Sequence, residues 1–190
     1  MEVLIGVSNR HVHLTKEHLE ILFGKDFELQ KIKSLNQPNQ YVSNSFVTLI
    51  TNKNYIDNVR VIGPVREYTQ VEISKTDAYF LGINPPVRSS GDLINSSSIK
   101  IKGPKGIIDL NEGCIIADRH IHITPKQIEI YNLRGKESVN VMLRGEKGGI
   151  IKNVKLKISE ESFLELHLDT DDANAHLVKQ GDLAYIIEDN

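Results

Sequence analysis

Covalent cross-linking is almost closed to this chain, whose 190 residues include a single cysteine, Cys114. An internal disulfide is excluded, and the composition fits a reducing compartment. Tryptophan is absent and aromatics reach only 6%, so a core built from these residues must be aliphatic, which suits a β-rich protein. Neither sign of charge dominates: 23 Lys and Arg stand against 25 Asp and Glu, for a net charge of -2. Binding to nucleic acid or an anionic membrane therefore has no compositional support. No apolar run approaches the roughly 20 residues of a membrane-spanning helix. The start, Met1-Glu2-Val3-Leu4-Ile5-Gly6, has neither a charged leader nor a cleavage site. The expectation is a soluble cytoplasmic protein with room for one large domain or two small ones.

What is present is a repeat. Arg10-His11-Val12-His13 recurs as Arg119-His120-Ile121-His122, 109 residues later, each in β-branched and apolar surroundings. Each copy reads as a strand, on which residues two apart share a face with Cα atoms roughly 6–7 Å apart. The motif thus sets two imidazoles side by side, with the arginine and the central apolar residue on the other face. Both copies lead into a short helix. Thr15 is the expected N-cap for Lys16 to Phe23, with Gly24 as the stop. In the second copy Thr124 caps, Pro125 takes the first helical position, Gln127 completes a capping box, and the helix runs through Ile128, Ile130 and Tyr131 towards Gly135.

A second correspondence has an offset of 95 residues. It lays Ile56–Val61 over Ile151–Leu156, and Val71–Ala78 over Leu166–Ala173. The change of offset places a longer connection in the first half, near Leu29 to Ser45. Alternating strands such as Phe46–Ile50 and Val139–Leu143, with turns at Gly63-Pro64, Gly103–Gly106 and Gly148-Gly149, complete the pattern. The fold class expected is mainly β: two related β-barrels with short capping helices, from an internal duplication. Composition alone puts the seam at Asn84 to Lys100 or at the Leu110–Gly113 turn.

The 95-residue offset sets Glu72 over His167, each central in an apolar strand. Each half then supplies an H-x-H pair and one further ligand-capable residue: His11, His13 and Glu72 in the first, and His120, His122 and His167 in the second. His₂Glu and His₃ are both ligand sets of catalytic zinc, which leave a fourth position open. Arg66 precedes Glu72 by an even number of residues, so on an extended chain the two share a face; a guanidinium there suits a phosphate or carboxylate. Ser89-Ser90-Gly91 offers an anion nest. The remaining candidates take plainer roles. His18 is solvent-facing or helps the cap, His176 is a surface residue, and Cys114 is a small buried hydrophobe. Arg10 and Arg119 are structural braces, and Asp77 and Asp172 open helices after Thr76 and Thr170-Asp171, where negative charge suits the helix dipole.

In order along almost the whole chain, several blocks resemble the PduL-type phosphotransacylase family. They are Gly6–Leu14, Gly63-Pro64-Val65-Arg66, Thr69–Ala78, Arg88–Gly91, Arg119–His122 and His167–Ala175. The resemblance implies a phosphate acyltransferase interconverting acetyl-CoA or propanoyl-CoA plus phosphate with acyl phosphate plus free CoA, in propanediol or acetate metabolism. It implies one barrel from residues 1–9 plus 118–190, another from 10–117, and a di-zinc site at their interface. His11, His13 and Glu72 would hold one Zn²⁺, and His120, His122 and His167 the other. Arg66 matches the phosphate-contacting arginine, and Ser90 is a lesser candidate for the same contact. Imidazole and carboxylate also accept Co, Fe or Mn. Residues Tyr41–Ser45 depart from the family pattern, and no microcompartment-targeting helical extension precedes the first strand, which points to a free cytoplasmic enzyme. A homodimer is the default assembly. Two other readings stay open on the same residues: a di-zinc hydrolase of a thioester or phosphoester, and a non-catalytic barrel tied by zinc.

Overall fold

The computed structural model describes residues 1–187. The strands are β1 (Glu2–Ser8), β2 (His11–His13), β3 (Lys31–Ser34), β4 (Tyr41–Ile50), β5 (Tyr55–Gly63), β6 (Gln70–Glu72), β7 (Val87–Arg88), β8 (Ser97–Lys102), β9 (Ile107–Ala117), β10 (His120–Ile123), β11 (Ser138–Leu143), β12 (Gly149–Ile158), β13 (Glu165–Asp169) and β14 (Leu183–Ile187). Four short helices join them: α1 (Lys16–Phe23), α2 (Lys75–Leu81), α3 (Pro125–Ile130) and α4 (Thr170–His176). The protein is mainly β, as expected, and the strands close into two six-stranded barrels.

In one compact unit, Met1–Asn9 with the chain from Asp118 onward, the ring runs β1-β13-β10-β12-β11-β14 and back to β1. In the other, Arg10–Ala117, β4-β5-β2-β6-β9-β8 closes in the same order, with β3 and β7 as additions. Each unit has its own aliphatic core. Val12, Val61, Val71 and Cys114 are fully buried in one, and Ile5, Ile121, Leu166 and Val141 in the other. Each such valine, leucine or isoleucine contributes about 1.5–3 kcal/mol by leaving water, and the alternation that buries Val12 and Ile121 turns the flanking histidines to the opposite face of their strands.

The two rings share one plan down to register. His11 lies opposite Glu72 on β6, as His120 lies opposite His167 on β13. On the other side His11 neighbours Arg60 and His120 neighbours Lys155. The leading strands are exchanged: β1, which precedes the first R-H-x-H copy, pairs with β13 and β14, whereas β9, which precedes the second, pairs with β6 and β8. The seam therefore falls at neither segment that composition favours. Leu110–Gly113 is not a turn but the middle of the 11-residue β9, where pairing with β8 outweighs the turn signal of Asn111 and Gly113. The Asn/Gln-rich connection of the first half holds β3, which among the described residues pairs only with the ring strand β4.

The helix signals read as expected, with adjustments. Thr15 accepts from the His18 amide and Gly24 ends α1; Thr124 and Gln127 form a capping box, but α3 stops one turn early, with Tyr131 as its C-cap. The carbonyls of Ile21 and Leu22, near the end of α1, lie against Gly103 and Gly106, where a Cβ would not fit. Ser74 caps α2 and Asp169 caps α4, so Asp77 and Asp172 sit three residues inside rather than opening the helices after Thr76 and Thr170-Asp171. Their carboxylates have another task. Asp77 binds Arg10 through two contacts, at 2.7 and 2.9 Å, and Asp172 binds Arg119 at 3.1 Å. The motif arginine thus braces the helix that follows the third-ligand strand, once per unit.

Candidate metal centres

Two clusters assemble on the motif strands. Within each, one nitrogen or oxygen of every member lies within 4.8 Å of the others: His11, His13 and Glu72 in one unit, and His120, His122 and His167 in the other. Cross-strand pairing produces this. The H-x-H residues share a strand face, and the antiparallel neighbour of the first histidine supplies the third member at the short distance of opposed residues.

In the first cluster the His11 and His13 rings meet edge to face at 4.9 Å, and His11 Nε2 is 3.6 Å from Glu72 Oε2. In the second, His120 Nε2 and His122 Nε2 approach to 3.2 Å. His120 Nδ1 lies 2.9 Å from the Asp118 carbonyl, to which an N–H at that position donates, and in that tautomer Nε2, turned towards His122, is the nitrogen that carries the lone pair. Burial, reinforced by His167, His120 and Lys157, pushes the His122 imidazole down to about 2. The ring is neutral, the form that ligates a metal. Converging imidazole nitrogens and one carboxylate are donor sets that fit a divalent ion such as zinc.

Arg66 does not reach this region by strand alternation. The chain bends at Glu67 and Tyr68, so the parity argument that put it on one face with Glu72 does not apply. A hydrogen-bond chain connects them instead. The Arg66 amide donates to the Leu14 carbonyl at 2.8 Å, and its guanidinium makes a long 3.4 Å contact with Ser90 Oγ. Gln70 Nε2 donates to Ser90 Oγ at 2.8 Å and to Glu72 Oε1 at 2.5 Å. The Gly91 amide donates to Gln70 Oε1 at 2.8 Å, so the Ser89–Gly91 loop spends that one donor on Gln70.

Gln70 is the residue sequence reasoning missed here, and its equivalent in the other half, Glu165, was missed as well. The signal was available, since both precede the third member of the cluster by two residues in aligned strands, but neither is needed to complete a three-residue ligand set. His18 takes part in the cap: its amide donates to Thr15 Oγ1 at 3.1 Å, and its half-buried ring places Nδ1 2.7 Å from Thr69 Oγ1, which also accepts from the Thr15 amide. His176 lies at the surface, with Nδ1 3.1 Å from the Lys147 carbonyl. Cys114 is fully buried, and desolvation pushes its thiol up to about 12. It is a core residue.

Duplicated closed barrels, each with a ligand cluster on its motif strand, define a class of β-barrel protein with two candidate metal centres. A family model described as phosphate propanoyltransferase matches residues 4–179. A Thermotoga maritima protein named phosphate propanoyltransferase is 50% identical over 187 residues, covering 98% of this chain and 89% of its own. Relatives of the same name from Rhodopseudomonas palustris (41% identical, covering 97% and 82%) and Alkaliphilus metalliredigens (43%, covering 99% and 89%) also match over nearly the whole chain. The chain belongs to the phosphate propanoyltransferase family. Membership supports a transferase, and specifically phosphate acyltransferase activity. None of its helices is long and apolar enough to cross a membrane among the described residues.

Proposed function

We propose that the chain interconverts a short-chain acyl-CoA, acetyl or propanoyl, plus phosphate with the acyl phosphate plus CoA, using a zinc ion at each cluster, in the cytoplasm. The observation that carries this reading is the hydrogen-bond chain from Arg66 through Ser90 and Gln70 to the cluster carboxylate Glu72. It ties an oxyanion-binding side chain to a metal-ligating one. His11, His13 and Glu72 would hold one ion, and His120, His122 and His167 the other. Bound there, zinc supplies Lewis-acid stabilisation of phosphate charge and of the departing thiolate, a soft ligand.

The chain's own groups do the rest. Arg66 holds phosphate through its planar fork, and Ser90 contributes a hydroxyl beside it. Held against the thioester, a phosphate oxygen attacks the carbonyl carbon in what becomes an effectively intramolecular step. A tetrahedral oxyanion forms and collapses, the C–S bond breaks, and its electron pair leaves on the CoA sulfur. No covalent enzyme intermediate is required.

Acetyl and propanoyl differ by one methylene, worth about 1–3 kcal/mol of discrimination in a pocket, so both acyl groups belong in the assay. Chelated and zinc-restored protein would be compared for phosphate-dependent acyl phosphate formation from each acyl-CoA. The expected result is activity lost on chelation and restored by zinc, with Arg66→Ala raising the KM for phosphate. Thioester loss without phosphate would assign a hydrolase instead, and trapping of an acylated side chain would overturn the direct transfer.

A further inference from the structure

Each cluster has a carboxylate close by, but at different removes. In the first, Glu72 is itself a candidate ligand, and the residue two before it is the amide Gln70. In the second, the candidate ligand is the imidazole His167, and the residue two before it is the acid Glu165. Gln70 and Glu165 are structural equivalents, since Gln70 is the cross-strand partner of His13 and Glu165 that of His122. Both are buried, at 0% and 3% exposure. Both touch the third ligand: Gln70 Nε2 donates to Glu72 Oε1 at 2.5 Å, and Glu165 Oε2 lies 2.8 Å from His167 Nε2. The acid ligand is backed by an amide and the imidazole ligand by an acid.

The surroundings of Glu165 are built to hold it there. Gln180 Nε2 donates to its other oxygen at 3.4 Å, while Gln180 Oε1 accepts from the Val7 amide at 2.8 Å. Gly6 faces the pair, and a Cβ at that position would lie 2.8 Å from Glu165 Cδ and 2.9 Å from His167 Cδ2. In the other unit the same strand position is the full side chain of Ile115, opposite Glu72. Space for the acid is thus opened only where the acid occurs.

We propose that Glu165 is a positioning residue for the second cluster: it orients the His167 ring and supplies, one residue removed, the negative charge that Glu72 supplies directly in the first. This rests on the metal-binding reading above. A divalent ion held by three neutral imidazoles would leave two positive charges, beside the further one of Lys157 next to His122; Glu165 offsets one of them, as Glu72 would in the first cluster. A carboxylate behind a ligating histidine fixes the ring and raises its basicity, and losing such a partner costs typically about 10–100-fold in metal affinity. Gln70, neutral where Glu72 already carries the charge, orients that carboxylate instead.

The test is zinc titration of the metal-free protein against a chromophoric chelator, with the cobalt(II) absorption spectrum as a second readout. Wild type is expected to take two ions. Glu165→Gln keeps the shape but removes the charge. It should weaken one of the two sites by about 10–100-fold, leave the other unchanged and alter one set of cobalt bands. In a His122→Ala background, which removes the second cluster, adding Glu165→Gln should leave the remaining affinity as it was. If Glu165→Gln fails to fold by circular dichroism, Glu165→Asp, which withdraws the charge from His167, takes its place with the same expectation. Two ions bound with unchanged affinities in the folded variant would overturn the role of Glu165 and leave the metal reading standing. A wild-type protein that binds no ion would overturn both.

Discussion

Replacing Arg10 by alanine should destabilise the fold more than the same change at Arg119, although the two occupy equivalent places in the repeat. Arg10 makes two contacts with Asp77, at 2.7 and 2.9 Å, and the Asp77 side chain is only 6% exposed. Arg119 makes one contact, at 3.1 Å, with an Asp172 side chain that is 25% exposed. Breaking a fully buried pair costs about 3–5 kcal/mol, because one charge stays buried without its partner. Both arginine side chains are 37% exposed, so water screens part of that loss. Asp77 also keeps the Ser74 amide, at 3.3 Å, and its place in the first turn of α2. The estimate for R10A is about 2 kcal/mol and that for R119A about 0.5–1 kcal/mol, the upper range of solvated pairs. Urea unfolding followed by far-ultraviolet circular dichroism measures both, provided the m-value is unchanged. D77N should recover part of the R10A loss in a double-mutant cycle, because it removes the stranded charge. Equal losses at the two arginines, or a larger one at Arg119, would refute the assignment of the difference to burial.

Three further outcomes can be checked. Gly6→Ala drives a methyl into Glu165 and His167, and overpacking of this kind costs about 1–3 kcal/mol; because side-chain ends give way first, zinc affinity at one site should fall more than stability does, and a folded variant with two wild-type affinities would contradict this. The Cys114 thiol, fully buried and pushed up to about 12, should resist a thiol reagent at pH 8 in the native protein and react on unfolding; rapid native labelling would show that the core opens there. Burial raises the Asp169 carboxyl above its ordinary 3.8. A raised carboxyl means the folded state holds the proton more tightly, so ionised Asp169 costs stability above that value and nothing below it. Asp169→Asn, which retains an N-cap acceptor, should therefore be more stable than wild type at pH 7. That gap should close as pH falls through the ordinary value, and a variant less stable at pH 7 would contradict the sign.

Much of the candidate site was legible because it rests on short-range rules. H-x-H puts two imidazoles on one strand face wherever that strand lies. The 95-residue offset found the third member of each cluster, since duplicated strands keep their register when one face is buried. Thr15, Thr124 and Gln127 announced their helices through capping chemistry confined to four residues. The failures share one cause. Arg66 and Glu72 were linked by an alternation that a bend at residues 67–68 interrupts, and Arg10 and Asp77 were read separately though they form one ion pair across 67 residues.

What the sequence by itself determined, then, is the β class, the repeat and the six ligand-capable side chains, because each follows from periodicity or from comparison of the chain with itself. Only the tertiary structure decided that Ser90 and Gln70 connect Arg66 to Glu72, and that Glu165 stands behind His167. Those contacts depend on which strands become neighbours. Neighbours are chosen by burial of whole faces and closure of the ring, and no local pattern records that choice. The R-H-x-H repeat marks where two ions would sit, and the packing around it makes the two places chemically unlike.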